Sequence, residues 1–535
     1  MPLMTSGNRS SGFDVVVVGA GHNQLTTAAY LASAGLGVCV LEAQSDVGGG
    51  AVTREVTLPG FKHDLHATGV VHLQGHPLLK NDELGLKSRF GLGFAYPDSS
   101  FMTVFDDGDT LSCYMDLDRT CADIARFSQK DAESYRQLAK WMEKMNPIIG
   151  MSMGNPPMPF GRFINLLEQS DDGNAMIDIM FKSAYDITLQ YFDHPKVRMH
   201  FLKWCAEMSC GIEEKTTGMT LLFLIGSSHT NPAGCAVGGT AELSRSMVKC
   251  IEFHGGEVRF DSPVRKIINR SGRAAGVELE SGELVNASRA VVAGIHPHHL
   301  ADFVDGLDDA LLTRARQTEN STFGGFLVHA ALREAPVWKA GKAPEDCLCI
   351  NMVDYGDMED FRRLFDDLRY GELPKHFCGY TSTHTRYDPS RAPDGQHTLY
   401  FYTWAPLKLR KGGHEAWEDI AAERAEWMMS NLQRYCPNVS GDNILKMTTE
   451  SPLDMSRHSP SFRFGDPTGL AMFIYQFFGR RPTPELAQYR VPGAESLYLS
   501  GPFMHPGGGL TGGGRGTAIR IMQDLDVDLY RVLSC

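Results

Sequence analysis

The chain lacks the marks of several protein classes. No apolar run approaches the roughly 20 residues of a membrane-spanning helix; the stretch TLLFLIG at 220–226 is far too short. The opening MPLMTSGNRSSG has no apolar centre, so residues 1–10 read as a flexible leader and not as a secretory signal. Excess positive charge is missing as well. Lys and Arg number 51 against 64 Asp and Glu, a formal charge of −13 with no concentrated basic patch, which argues against a nucleic-acid partner. The 12 cysteines are scattered. Cys347 and Cys349 form a lone C-x-C, and Cys205 with Cys210 has no second pair at ligand spacing, so no metal is expected. Reduced, mostly buried cysteines in a cytoplasmic protein are the simpler reading.

What the chain does have begins at residues 14–42, DVVVVGAGHNQLTTAAYLASAGLGVCVLE. Val15 to Val18 form a continuous β-branched run, the pattern of a parallel strand covered on both faces. Gly19 permits a sharp turn, and Gly21 lets backbone approach a pyrophosphate at the start of the next helix. Ala28 and Gly35 fall where that helix must pack closely and then stop. Glu42 ends a second strand, placed to accept hydrogen bonds from a ribose. Gln24 stands where a third glycine is usual. The unit reads as a dinucleotide site.

At 535 residues the chain is long enough for two or more subdomains. Its texture crosses twice between α/β and other patterns. The reading is an α/β fold: a Rossmann-like dinucleotide-binding domain from 11–75, 235–300 and 491–535, with a discontinuous mixed α+β substrate domain from 76–234 (helix-rich) and 301–490. Within it, MNPIIGMSMGNPPMPFGRF at 145–163 reads as a mobile apolar loop, because proline interrupts helices. Met151, Met153 and Met158 there are adaptable apolar surface, suited to core filling, a substrate tunnel or a peripheral membrane contact.

Residues 496–525, SLYLSGPFMHPGGGLTGGGRGTAIRIMQDL, repeat the strand, glycine loop and helix logic of the first motif. Amide donors at such a helix start can hold an electron-rich carbonyl or an anionic ring. VVVGAGHN (16–23), LEAQSDVGGGAVTREVTLPGF (41–61), GGTAELSRSM (238–247), DPSRAPDGQH (388–397) and the run 481–516 together resemble the flavin-dependent amine oxidase and phytoene desaturase superfamily, especially its bacterial phytoene-dehydrogenase-like branch. The resemblance implies noncovalent FAD, and with it that the Rossmann-like domain is an FAD-binding domain of the glutathione-reductase type. By matching positions it places Gly19, Gly21, His22 and Asn23 around the pyrophosphate, Glu42 on the adenosine ribose, and Gly49 and Gly50 between phosphate and ring. Val264 falls at the adenine, and Gly501, Gly509, Leu510 and Thr511 beside the flavin ring. Gly50 and Ala51 replace the arginine that often follows the family's double glycine; Arg54 is a stand-in or a surface cation. NAD(P), the rival cofactor for the first motif alone, leaves the C-terminal loop without a role.

A flavin accepts a hydride, so the protein supplies orientation, electrostatics and exclusion of competing reactions. His505, in the C-terminal loop, is the first catalytic candidate; His63, Asp64 and His66, in KHDLHATG, are the second. Tyr475, Arg480 and Arg481 are candidate pocket residues, and Arg515 a candidate counter-charge to reduced flavin. The function expected is an FAD-dependent oxidoreductase, a dehydrogenase or desaturase acting on a hydrophobic small molecule. The alternatives are a flavin amine oxidase releasing peroxide and an isomerase or binding protein with structural FAD. No motif sets the electron acceptor, oxygen or a quinone, or the oligomeric state.

Overall fold

The computed structural model describes residues 12–354, 356–529 and 532. The leader read over residues 1–10 lies outside the described residues. Strands Phe13–Val18, Val38–Leu41, Glu257–Arg259, Leu284–Ala293 and Leu497–Leu499 run parallel, with Phe13–Val18 between Val38–Leu41 and Leu284–Ala293. The meander Val264–Arg270, Arg273–Leu279 extends this sheet antiparallel beyond Leu284–Ala293. Alternation decides which face each valine meets. Val15 and Val17 pack under the helices His22–Ser33, Ala241–Phe253 and Gly514–Asp524, while Val16 joins Ile267, Val277 and Leu486 on the other face.

The second sheet is mixed. Its strands run in the order Ile444–Glu450, Gly324–Leu332, His397–Ala405, Cys378–Ser382, Cys347–Val353, Ser99–Phe105, Thr110–Tyr114, with a parallel pairing of Cys347–Val353 and Ser99–Phe105. Helix Trp417–Tyr435 covers one face, and a cluster of helices including Gln129–Met153 and Thr217–Ser228 packs at the other. Among the described residues no helix is long and apolar enough to cross a membrane.

Three features differ from the sequence reading. Residues 77–92, assigned there to the substrate domain, send Leu78, Leu79, Leu84, Leu86 and Leu92 into the core of the first sheet. Likewise Leu470, Leu486 and Tyr489, from the end of the 301–490 segment, pack against its other face. Composition changes near residue 77, but burial follows the sheet. The third difference is at 145–163. One helix, Gln129–Met153, runs through Pro147. An interior proline costs about 3 kcal/mol. Against that, Tyr135, Leu138, Ala139, Met142 and Met145 bury one face at helical spacing, and Ser128 caps the start by accepting from the Asp131 N–H. Tertiary burial outweighs the local break.

The two domains are tied by charge. Arg391 is fully buried; it donates to Asp64 at 2.6 Å, to Asp388 at 2.8 Å and to the Ala236 carbonyl at 2.8 Å. Asp64 also accepts from the Thr53 hydroxyl and from the Thr240 amide and hydroxyl. Burial pushes the Asp64 carboxyl up, but Arg391 and these donors outweigh it and hold it below its ordinary value. Such a depressed group stabilises the fold above the ordinary carboxylate range and loses that contribution as pH falls below about 4. Arg391→Ala leaves two buried carboxylates unpaired, so a loss of about 3–5 kcal/mol is expected in urea unfolding at neutral pH. A change below about 1 kcal/mol would show the triad to be dispensable.

Candidate active site

The strands of the first sheet end at a cavity of about 630 Å³ that continues to the face of the second sheet. Its first half is lined by glycine. Gly19, Gly21, Gly48, Gly49 and Gly50 contribute, and Gly508, Gly509 and Leu510 close it from the C-terminal loop. Gly19 has φ +91° and Gly49 φ +78°, and a Cβ on Gly49 would sit 3.1 Å from the Gly21 Cα. Side chains are excluded there by both conformation and space. His22 lines the same half and donates from Nε2 to the Gly509 carbonyl at 3.3 Å, linking the two glycine loops.

The Glu42 carboxylate lies beside them, accepting from the Ala20 N–H and from the Gln44 N–H at 3.0 Å. Asn23 lines the cavity with a buried Oδ1 that has no partner in the structure, and Val264 lines the opening beside Pro263. A glycine cradle, an unpartnered amide and a fixed carboxylate together fit a dinucleotide. Gln24 explains its own departure from the glycine pattern. Its Nε2 donates to the Ser500 carbonyl at 2.5 Å, and Gly21 and Gly294 give it room: a Cβ on either would stand 2.6 Å from its amide atoms.

The second half is aromatic: Trp204, Tyr380, Tyr400, Tyr402 and Trp404 form its walls. Between the halves stand His66, His458 and Phe462. The His66 ring lies edge-on to those of His458 and Phe462, at 4.9 and 5.0 Å between centroids. Neither of its nitrogens has a hydrogen-bond partner, and Nδ1 is 3.8 Å from the Glu450 carboxylate. Burial, partly offset by Glu450, lowers the His66 imidazole to about 4. Burial pushes Glu450 up, and the neighbouring His66 and His329 outweigh it, holding the carboxyl below its ordinary value. A neutral imidazole backed by a carboxylate can accept a proton.

Several expected site residues lie elsewhere. His505 is buried off the cavity and donates from Nε2 to the Ser152 carbonyl at 2.9 Å, fastening the C-terminal loop to the end of helix Gln129–Met153. His63 bonds the Thr57 hydroxyl at 2.8 Å, and Asp64 is held by Arg391; neither lines the cavity. The strand ends at Asp64 and the chain bends at Leu65 and His66, which frees His66 from the strand's alternation and brings it to the cavity, while His63 and Asp64 stay in the packing. Gly501 and Thr511 do not line the cavity, although Pro502 and Leu510 beside them do. Arg515 pairs with Glu83 at 2.7 Å, and Arg481 is buried, donating to the carbonyls of Ala471, Leu470 and Pro502. Tyr475 is half exposed. Sequence reasoning missed Glu450 and the aromatic walls. Tyr400, Tyr402 and Trp404 carried a signal, since they alternate along one strand and so share a face.

The model of the flavin-containing amine oxidoreductase family matches residues 25–433. Over nearly its full length the chain is similar to a component of the limonene dehydrogenase of Castellaniella defragrans, with 27% identity covering 97% of this chain and 96% of that protein. It is similar to the lycopene-forming phytoene desaturase of a Paracoccus species, with 24% identity covering 95% and 97%. Cyclohexylamine oxidase from Brevibacterium oxydans shares the fold, with a TM-score of 0.58, 17% identity and coverage of 96% and 100%. With the family match covering most of the chain, strands of both sheets included, and the glycine cradle in place, the chain belongs to the flavin-containing amine oxidoreductase family and is an FAD-dependent oxidoreductase.

Proposed function

We propose that this enzyme is a dehydrogenase or desaturase that removes a hydride and a proton from an apolar or partly apolar small molecule. The observation that carries the reading is the continuity of one cavity, glycine-lined at one end and walled by Tyr400, Tyr402, Trp404 and Leu327 at the other. The names of two full-length relatives, a limonene dehydrogenase component and a phytoene desaturase, support a hydrophobic substrate. FAD, when bound, supplies the two-electron acceptor. Glu42 would hold the ribose, the backbone from Gly21 to Asn23 the pyrophosphate, and Gly49, Gly50, Gly509 and Leu510 the backbone cradle of the ring. The aromatic walls hold substrate by burial and exclude water. His66 takes the proton, and the Glu450 carboxylate stabilises the imidazolium that results. Oxygen or a quinone then takes the electrons. The family model favours amine oxidation with peroxide release as a second reading.

The purified protein is expected to be yellow. Gly49→Val, which forces a side chain into a left-handed backbone facing Gly21, is expected to lose most of the bound flavin absorbance while the chain stays folded by circular dichroism. Anaerobic mixing with alkenes, ketones and amines separates the reaction classes. Bleaching by alkenes or ketones supports the dehydrogenase, bleaching by amines with peroxide in air supports the oxidase, and no net bleaching by any of them would favour an isomerase or a structural flavin. His66→Ala is expected to slow bleaching by about 10²–10⁴ with substrate affinity kept. Because His66 titrates near 4, the wild-type rate should hold from about pH 8 to about pH 5 and fall below. A decline beginning near pH 7 would assign the proton to another group.

A further inference from the structure

The second sheet turns one row of side chains to the cavity. Leu327, Tyr402, Tyr380 and Asn351 are register partners across four strands, and all four line it. Register partners project to the same face. Three of the four are apolar or aromatic; the fourth is an amide. Asn351 is 1% exposed, and its Oδ1 has no hydrogen-bond partner in the structure. A buried acceptor left unmade is costly, so this wall favours a bound molecule that brings a donor.

The charge beside it narrows what the donor can be. Glu207 lines the cavity, and Lys203, whose side chain is 1% exposed, pairs with it. The Lys203 Nζ stands 4.3 Å from the Trp404 ring centroid and 5.9 Å from that of Tyr402. The Lys203–Glu207 pair is neutral as a unit wherever its proton sits. An ammonium or carboxylate brought to this aromatic wall would therefore meet a like charge beside its opposite and gain no counter-charge. A neutral hydroxyl meets neither difficulty.

We propose that this end of the cavity is a subsite for a neutral hydroxyl group, which donates to the Asn351 Oδ1 while the alkyl part of the molecule lies against Tyr380, Tyr402 and Trp404. The substrate is then an apolar alcohol, and neither a bare hydrocarbon nor an amine. The assignment rests on the cavity being the substrate site.

Octan-1-ol, octane and octylamine, titrated anaerobically into the FAD-loaded full-length protein and read by perturbation of the flavin absorbance, test it. The alcohol is expected to bind at least about tenfold more tightly than either other probe, the ratio that one hydrogen bond to a buried acceptor supports. Asn351→Leu is expected to abolish that preference by weakening the alcohol alone. Equal affinities for alcohol and alkane in the wild type, tighter binding of octylamine, or a preference that survives in Asn351→Leu would each overturn the proposal. The wild-type comparison decides even where the variant fails to load FAD. Affinity and bleaching fail separately. An alcohol preference without bleaching by any compound leaves the subsite standing and removes the dehydrogenase reading, whereas bleaching by octane with no preference does the reverse.

Discussion

Two helices from opposite ends of the chain approach each other more closely than any side chain permits. A Cβ on Gly514, in Gly514–Asp524, would lie 2.0 Å from the Asn23 carbonyl oxygen in His22–Ser33. The same holds nearby, where a Cβ on Gly508 would stand 2.5 Å from the Thr468 Cα. This backbone contact sets the C-terminal loop over the first glycine turn, and His22 then bonds Gly509 across the join. The cavity takes its shape from these approaches. Side chains at these glycines would hold the segments apart and open the cofactor end of the cavity to water.

Charge is used for architecture at some distance from the chemistry. Arg391 joins loops carrying Asp64, Asp388 and Ala236. Arg481 gathers carbonyls of the 468–471 loop and of Pro502, and Arg515 clamps Glu83 and Gly154. Each guanidinium supplies a planar fan of donors, which lets one buried residue satisfy several chain segments. At the cavity itself the pattern reverses. His66 and Asn351 carry buried polar atoms with no hydrogen-bond partner in the structure, an arrangement that costs stability and leaves bonding capacity for a bound molecule.

Legibility in the sequence followed the range of the interactions involved. The cofactor end was readable because its demands are local: Gly19, Gly21 and Glu42 sit in one strand, turn, helix and strand unit. Gln24 looked like a defect there, but its amide spans to Ser500 and sits against Gly294. The helix through Pro147 was unreadable for the opposite reason, since a local rule was overridden by burial of a face against distant residues. His63, Asp64 and His66 were equivalent in sequence, and the tertiary structure separated them. Asp64 went to Arg391, His63 to Thr57 and His66 to the cavity. Glu450 lies in another strand altogether and had no sequence signal linking it to His66.

The sequence by itself determined the class of fold, the dinucleotide at its first turn and, through the family resemblance that the second glycine loop helps to carry, the flavin. Those features depend on backbone conformation, which short motifs of glycine and β-branched residues specify directly. The tertiary structure decided which polar residues face the cavity and which are consumed in holding it together. That choice depends on strand register and on how far apart in the chain the partners lie. His505 and Asn351 show the two outcomes. The Nε2 of the one beside the flavin motif is turned away from the cavity to the Ser152 carbonyl, and the Oδ1 of the one in an unremarked strand has no hydrogen-bond partner at the aromatic wall, because a hydrogen-bonding group serves whichever partner the fold brings within reach.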